Sequence, residues 1–89
     1  MLILQYDVCF EVVDATTNVV IDDIDIYYSI DDLEINHIGP PNSGVGCLSP
    51  QPYGTLVSIL IKKDGYNDER VSGNITEDKS WTIALTPIV

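Results

Sequence analysis

Five aspartates fall within the twelve residues "IDDIDIYYSIDD", positions 21 to 32, and carboxylates crowded in this way could gather calcium, which takes about 6–8 oxygen ligands at ~2.3–2.6 Å. Alternate residues of a strand share a side, but they stand roughly 6.5–7 Å apart. Asp23 and Asp25 would not converge without oxygens from a loop, and no D-x-D-x-D-G pattern is present. The spacing therefore points to a charged strand face that keeps an apolar segment soluble and discourages edge pairing. Were a cation held, its ligands would be Asp31, Asp32 and Glu34 at the end of that segment, where a loop can turn carbonyls inward. No metal or cofactor is expected.

Nucleophilic chemistry has little to work with. His37 is the only histidine, and an activated nucleophile needs a base and an orienting group assembled around it. Cys47 shares a Gly/Pro-rich stretch with His37 without any recognisable signature. Cys9 sits within a strand pattern and Cys47 in an expected loop, so both are read as free thiols, small apolar side chains rather than a disulfide. Glycines 39, 44, 46 and 54 lack the Lys-Ser/Thr ending and following helix of a phosphate loop. Tyr27, Tyr53, Tyr66 and Trp81 could form a sugar-binding platform if their faces were exposed, and would otherwise fill the core.

The elements that must position these residues are strands. Leu4, Tyr6, Val8, Phe10 and Val12 alternate with Gln5, Asp7, Cys9 and Glu11, the period of a half-buried strand. "DATTN", 14 to 18, gathers residues that bond their own backbone in turns, and "VVI", 19 to 21, then suggests a short second strand. Ile24, Ile26, Tyr28 and Ile30 share one parity, with Asp23, Asp25, Tyr27, Ser29 and Asp31 on the other. Residues 36–54 hold four of the five prolines and four of the six glycines, predicting a long loop with one short extended piece near Val45 to Leu48. In "TLVSILIKK", Val57, Ile59 and Ile61 face inward. "DGY" turns, "DERVSGNI" reads as a polar edge strand, and "SWTIALTP" closes with Trp81, Ile83 and Leu85 on one side. The chain thus predicts an all-β fold, one β-sandwich domain over 1–89 with six to seven mostly antiparallel strands.

The stretches "FEVVDATTNVVIDDIDIYYS" and "GTLVSILIKKDGYNDERVSGNITEDKSWTIALTP" resemble the early and late halves of carboxypeptidase regulatory-like, or transthyretin-like, domains, themselves related to Ig-like surface modules. In that family an apolar strand ends in Asp before a Thr/Asn-rich turn, and a later strand leads to "GY". The resemblance implies a non-catalytic sandwich acting as a spacer, folding aid or binding module in surface or virion assemblies, including accessory parts of bacteriophage heads and tails. One subgroup, the collagen-adhesin B-type domains, carries a Lys–Asn cross-link. Here the first strand has no lysine and the last no asparagine, so no cross-link is implied.

A formal net charge of −10 repels nucleic acid, and no apolar run approaches the roughly 20 residues of a membrane span. The start, "MLILQYDVCFEVV", lacks the basic region and cleavage site of a secretory signal. The expectation is a structural or interaction module, not an enzyme. It would be a virion decoration or surface-accessory protein that reaches a protein partner through a sheet edge or, in preference, through the 36–54 loop, with Ile38, Val45, Leu48 and Tyr53 as apolar anchors. Its location would be the virion or cell surface, as part of an assembly. The alternative is a small carbohydrate-binding or calcium-dependent adhesion module contacting a glycan.

Overall fold

The computed structural model describes residues 4–88; residues 1–3, the first of those read for an export signal, lie outside the described residues. Seven strands form in the order β1 (Gln5–Asp14), β2 (Asp25–Ile30), β3 (Ile35–Ile38), β4 (Val45–Pro52), β5 (Leu56–Lys62), β6 (Glu69–Asn74) and β7 (Lys79–Leu85). They build a three-stranded sheet ordered β4-β1-β7 and a four-stranded sheet ordered β3-β2-β5-β6, an all-β sandwich. Every pairing is antiparallel except that of β1 with β7, which runs parallel from Val8↔Lys79 to Asp14↔Leu85.

Alternation sorts the side chains as expected. Val8, Phe10 and Val12 of β1, Ile26 of β2, Val57, Ile59 and Ile61 of β5, and Ile83 and Leu85 of β7 form one apolar cluster, joined by Ile21, Ile24 and Ile75 from the connections. Most are β-branched, stiff at χ1 and suited to a pleated surface, and burying each contributes about 1.5–3 kcal/mol. Tyr28, Ile30, Leu48, Val71 and Trp81 pack around the margin. Leu4 shares the parity but stays exposed before β1 begins.

Three expectations need correcting. Val19–Ile21 forms no strand; Val20 makes a single bridge to Val13, and the chain then crosses to the second sheet. Residues 36–54 are not one long loop, because they include the last residues of β3 and the eight residues of β4. The prolines that hid β4 are tolerated since it is an edge strand, where a missing N–H breaks no second ladder. Beside Pro50 the register slips between Tyr6↔Gln51 and Val8↔Leu48, so Ser49 and Pro50 together face Asp7, a β-bulge.

The third correction follows from the second. Once β4 pairs with β1, Cys9 and Cys47 are directly opposite, with Cα atoms 3.9 Å apart, and they form a disulfide. They point away from the core, opposite in parity to Val8 and Phe10, so the buried-thiol reading fails. Gly46 lies over the Phe10 ring, where an added Cβ would stand 3.2 Å from Cζ. Leu48 is the one β4 side chain packed against the core.

The disulfide encloses a sequence separation of 38 residues, for which the chain-entropy model gives about 4 kcal/mol. Urea unfolding of the Cys9→Ala/Cys47→Ala variant should show a loss of roughly 2–4 kcal/mol. Amides of β4 should exchange with solvent well before those of β5, since little else anchors that edge. A variant as stable as the parent would show that the ladder alone holds β4.

Candidate functional site

Four of the five aspartates that opened the question belong to corners; Asp25 alone stands on a strand, as the first residue of β2. Asp22 accepts from Gly44 N at 3.1 Å and Asp23 from Asn42 N at 3.3 Å. The Asn42 amide answers with a bond to each side of Ile24, receiving its N–H at 2.9 Å and donating to its carbonyl at 2.7 Å. Lys63 Nζ donates to the carbonyls of Asp22 and Asp23 at 3.1 and 3.0 Å. Together these bonds pin the crossover between sheets to residues 42–44. Gly44 is confined there, because any Cβ would collide with the Ile21 carbonyl oxygen. Gly44→Ala should therefore cost more than about 2 kcal/mol in thermal or urea unfolding, whereas the same change at open Gly73, 3.6 Å from Trp81 Cζ2, should cost less.

Asp31 and Asp32 sit in the turn between β2 and β3 with φ of 54° and 56°, a left-handed conformation that aspartate tolerates better than most residues. The Asp31 carboxylate accepts from Leu56 N at 2.8 Å, tying the turn to β5. Glu34 is exposed. Among the described residues no three His, Cys, Asp or Glu side chains are grouped to hold a metal ion. Asp31, Asp32 and Glu34 are accounted for as turn and surface residues.

At the opposite end Asp14 accepts from Thr16 N at 2.7 Å and Thr17 N at 3.1 Å, and from Tyr66 Oη at 2.8 Å. The last bond straps the end of β1 to the β5–β6 connection on the other sheet. The Tyr66 hydroxyl, then the Thr16 amide, hold the Asp14 carboxyl below its ordinary range, and Asp14 in turn raises the Tyr66 phenol. A lowered carboxyl contributes stability above its unfolded value of about 3.9 and loses it as pH falls through the folded value; a raised phenol contributes below about 10 and loses it above. The stability difference between the parent and Tyr66→Phe should accordingly be greatest between about pH 5 and 9, and should shrink in acid below about pH 4 and in alkali above about pH 10. A pH-independent difference would remove the ionised Asp14 from the strap.

The expected anchors are divided between two edges. Ile38 ends β3 at one border of the four-stranded sheet, while Val45 and Leu48 lie on β4 at the edge of the three-stranded sheet. Tyr53 follows β4, exposed, with its ring edge-on to Tyr6 at 6.5 Å and 60°. They form no single patch. Nor do the aromatics make a flat platform: Trp81 and Tyr66 pack against the core, and the Tyr6–Tyr53 rings are not coplanar. His37 does meet a carboxylate, Asp25, at 2.9 Å, and its ring stacks on Tyr27 at 4.5 Å and 11°. Among the described residues no hydroxyl or thiol hydrogen-bonds to that imidazole, and Cys47 is bonded to Cys9 on the other sheet.

A shallow depression with mixed lining, about 230 Å³, lies on the outer face of the four-stranded sheet. Two cross-strand rows shape it. His37, Tyr27, Leu60 and Arg70 stand side by side across β3, β2, β5 and β6, followed by Ile35, Ser29, Ser58 and Ser72. The serines make a low floor beside the taller Tyr27, Leu60 and Arg70. Leu33 and Ile35, 75% and 70% exposed, rise at the β3 border. Sequence reasoning missed this face because in "TLVSILIKK" it weighed only the inward Val57, Ile59 and Ile61; the sign was an exposed leucine and isoleucine beside the chain's single arginine.

Comparisons with known protein families, with characterised proteins and with solved structures return no match for this chain.

Proposed function

We propose that this protein is a non-catalytic interaction module that attaches to a larger assembly through the outer face and β3 border of its four-stranded sheet. The observation that carries this reading is the exposure of Leu33, just before the edge strand β3, together with Ile35, its first residue, beside a groove. Contiguous apolar surface left open beside unpaired backbone is costly unless something covers it. The 36–54 segment contributes His37 to this face, and of its four apolar anchors only Ile38 lies on this sheet, at the β3 border; Val45, Leu48 and Tyr53 belong to the other sheet's edge.

The disulfide supports a working place outside reducing compartments, such as a cell surface or a virion exterior. The net charge of −10 keeps identical copies apart when many are displayed together. On both counts a virion decoration or surface-accessory role is the reading favoured, on a sandwich of transthyretin-like or Ig-like type.

Sedimentation of material from the producing cells tests this. The chain should travel with large particles or the surface fraction, and Leu33→Asp/Ile35→Asp, which alters only exposed positions, should release it into the light fraction while leaving its unfolding transition unchanged. Free parent protein, or a double variant that stays particle-bound, would overturn the reading.

A further inference from the structure

The groove on the outer face is asymmetric in charge and polarity, and that asymmetry specifies what would fit it. At one border Leu33 and Ile35 offer an apolar seat. The floor is Ser29 and Ser58, whose hydroxyls make no hydrogen bond to other described residues and can donate or accept. At the far border stands Arg70, the only arginine in the chain, exposed and in no ion pair with any described residue. Two of the three lysines do pair with carboxylates, Lys62 with Asp68 at 3.5 Å and Lys79 with Glu77 at 4.0 Å, and Lys63 donates to backbone carbonyls. In a protein this acidic, an unpaired guanidinium is the local exception, and its planar fork matches a carboxylate.

A sugar fits poorly. Stacking would need a free aromatic face, yet His37 covers one face of Tyr27 at 4.5 Å and Lys62 Nζ sits 6.0 Å from its ring centroid. An extended peptide does fit. From β3 to β6 is three strand spacings, ~14 Å, which an extended chain spans in about four residues.

We propose that this groove binds a short extended peptide of a partner protein, laid across the strands. An aliphatic side chain would rest on Leu33 and Ile35, main-chain groups would meet Ser29 and Ser58, and a carboxylate three or four residues further on would pair with Arg70. This rests on the interaction-module reading and names the chemistry of its partner. Asp32 at the apolar border sets the direction, since it repels the acidic end of a reversed peptide.

The test is an NMR titration of the labelled full chain with blocked hexapeptides containing Leu-x-x-Glu or Leu-x-x-x-Glu, each beside its Glu→Gln counterpart. Shifts should be confined to Tyr27, Ser29, Ile35, Ser58, Leu60 and Arg70. The glutamate peptides should bind about fivefold tighter than the glutamine ones at low salt. Arg70→Met, at an exposed position, should erase that preference while keeping a dispersed spectrum and equal residual binding of both peptides. Glutamate and glutamine peptides that bind alike, a preference that survives Arg70→Met, no shifts at millimolar peptide, or binding of methyl glucuronide in preference to the peptides would each overturn the proposal. The broader module reading has its separate fate: particle attachment lost in Leu33→Asp/Ile35→Asp would uphold it even if every peptide failed.

Discussion

Within the three-stranded sheet only β1 is hydrogen-bonded on both sides, and both of its neighbours come from distant parts of the sequence. Neither β4 nor β7 has another strand partner, so each stays in place through β1. The two attachments differ. β7 brings Ile83 and Leu85 into the core, and hydrophobic burial adds to its parallel ladder. β4 brings only Leu48, with Gly46 fitted over Phe10, and the Cys9–Cys47 bond supplies what burial does not. A strand with two prolines and a bulge survives at this edge because a covalent tie compensates for a thin apolar contribution. Prolines and bulge also make that edge a poor template for further strands, leaving β3 as the apolar border.

The ends of the sandwich are closed by polar side chains rather than by more core. At one end Asp14 gathers two amides and a phenol; at the crossover, Asp22, Asp23 and Asn42 bind backbone groups that no ladder reaches. Buried or half-buried amides without partners would each cost about 1–3 kcal/mol, and a chain of 89 residues has little stability to lose. Aspartate suits these corners twice over. It accepts strongly from N–H groups and it tolerates positive φ, as at Asp23, Asp31 and Asp32. Much of the acidity is therefore a consequence of how the corners are built.

The strands whose alternation is long and clean, β1, β2, β5 and β7, were legible in the sequence, because period two with β-branched residues has one stable placement beside a core. What was hidden depended on pairing at a distance. β4 is dense in proline and glycine, a pattern that marks a loop unless one knows the strand is an edge. With β4 unseen, Cys9 and Cys47 had no reason to meet. The aspartates misled for a related reason: parity assigned Asp23 and Asp31 to a strand face, while the strand occupies only Asp25–Ile30 and its flanks turn. The groove escaped because its rows join residues from four strands, and register cannot be read from composition.

A uniform surface of carboxylates would repel any acidic partner from every direction, and screening beyond ~8 Å at physiological salt leaves only near neighbours to decide affinity. On the four-stranded sheet the near neighbours of Arg70 are Leu60 and the serine row, which are neutral. Of the carboxylates on this sheet, Asp25 and Asp68 are engaged by His37 and Lys62, and Asp32 lines the groove at its other border. The remaining positive field at that point is therefore local, helped by the engagement of Asp25 and Asp68 elsewhere. A long-range field that discourages crowding and a short-range pocket that accepts one carboxylate can coexist on the same small sandwich.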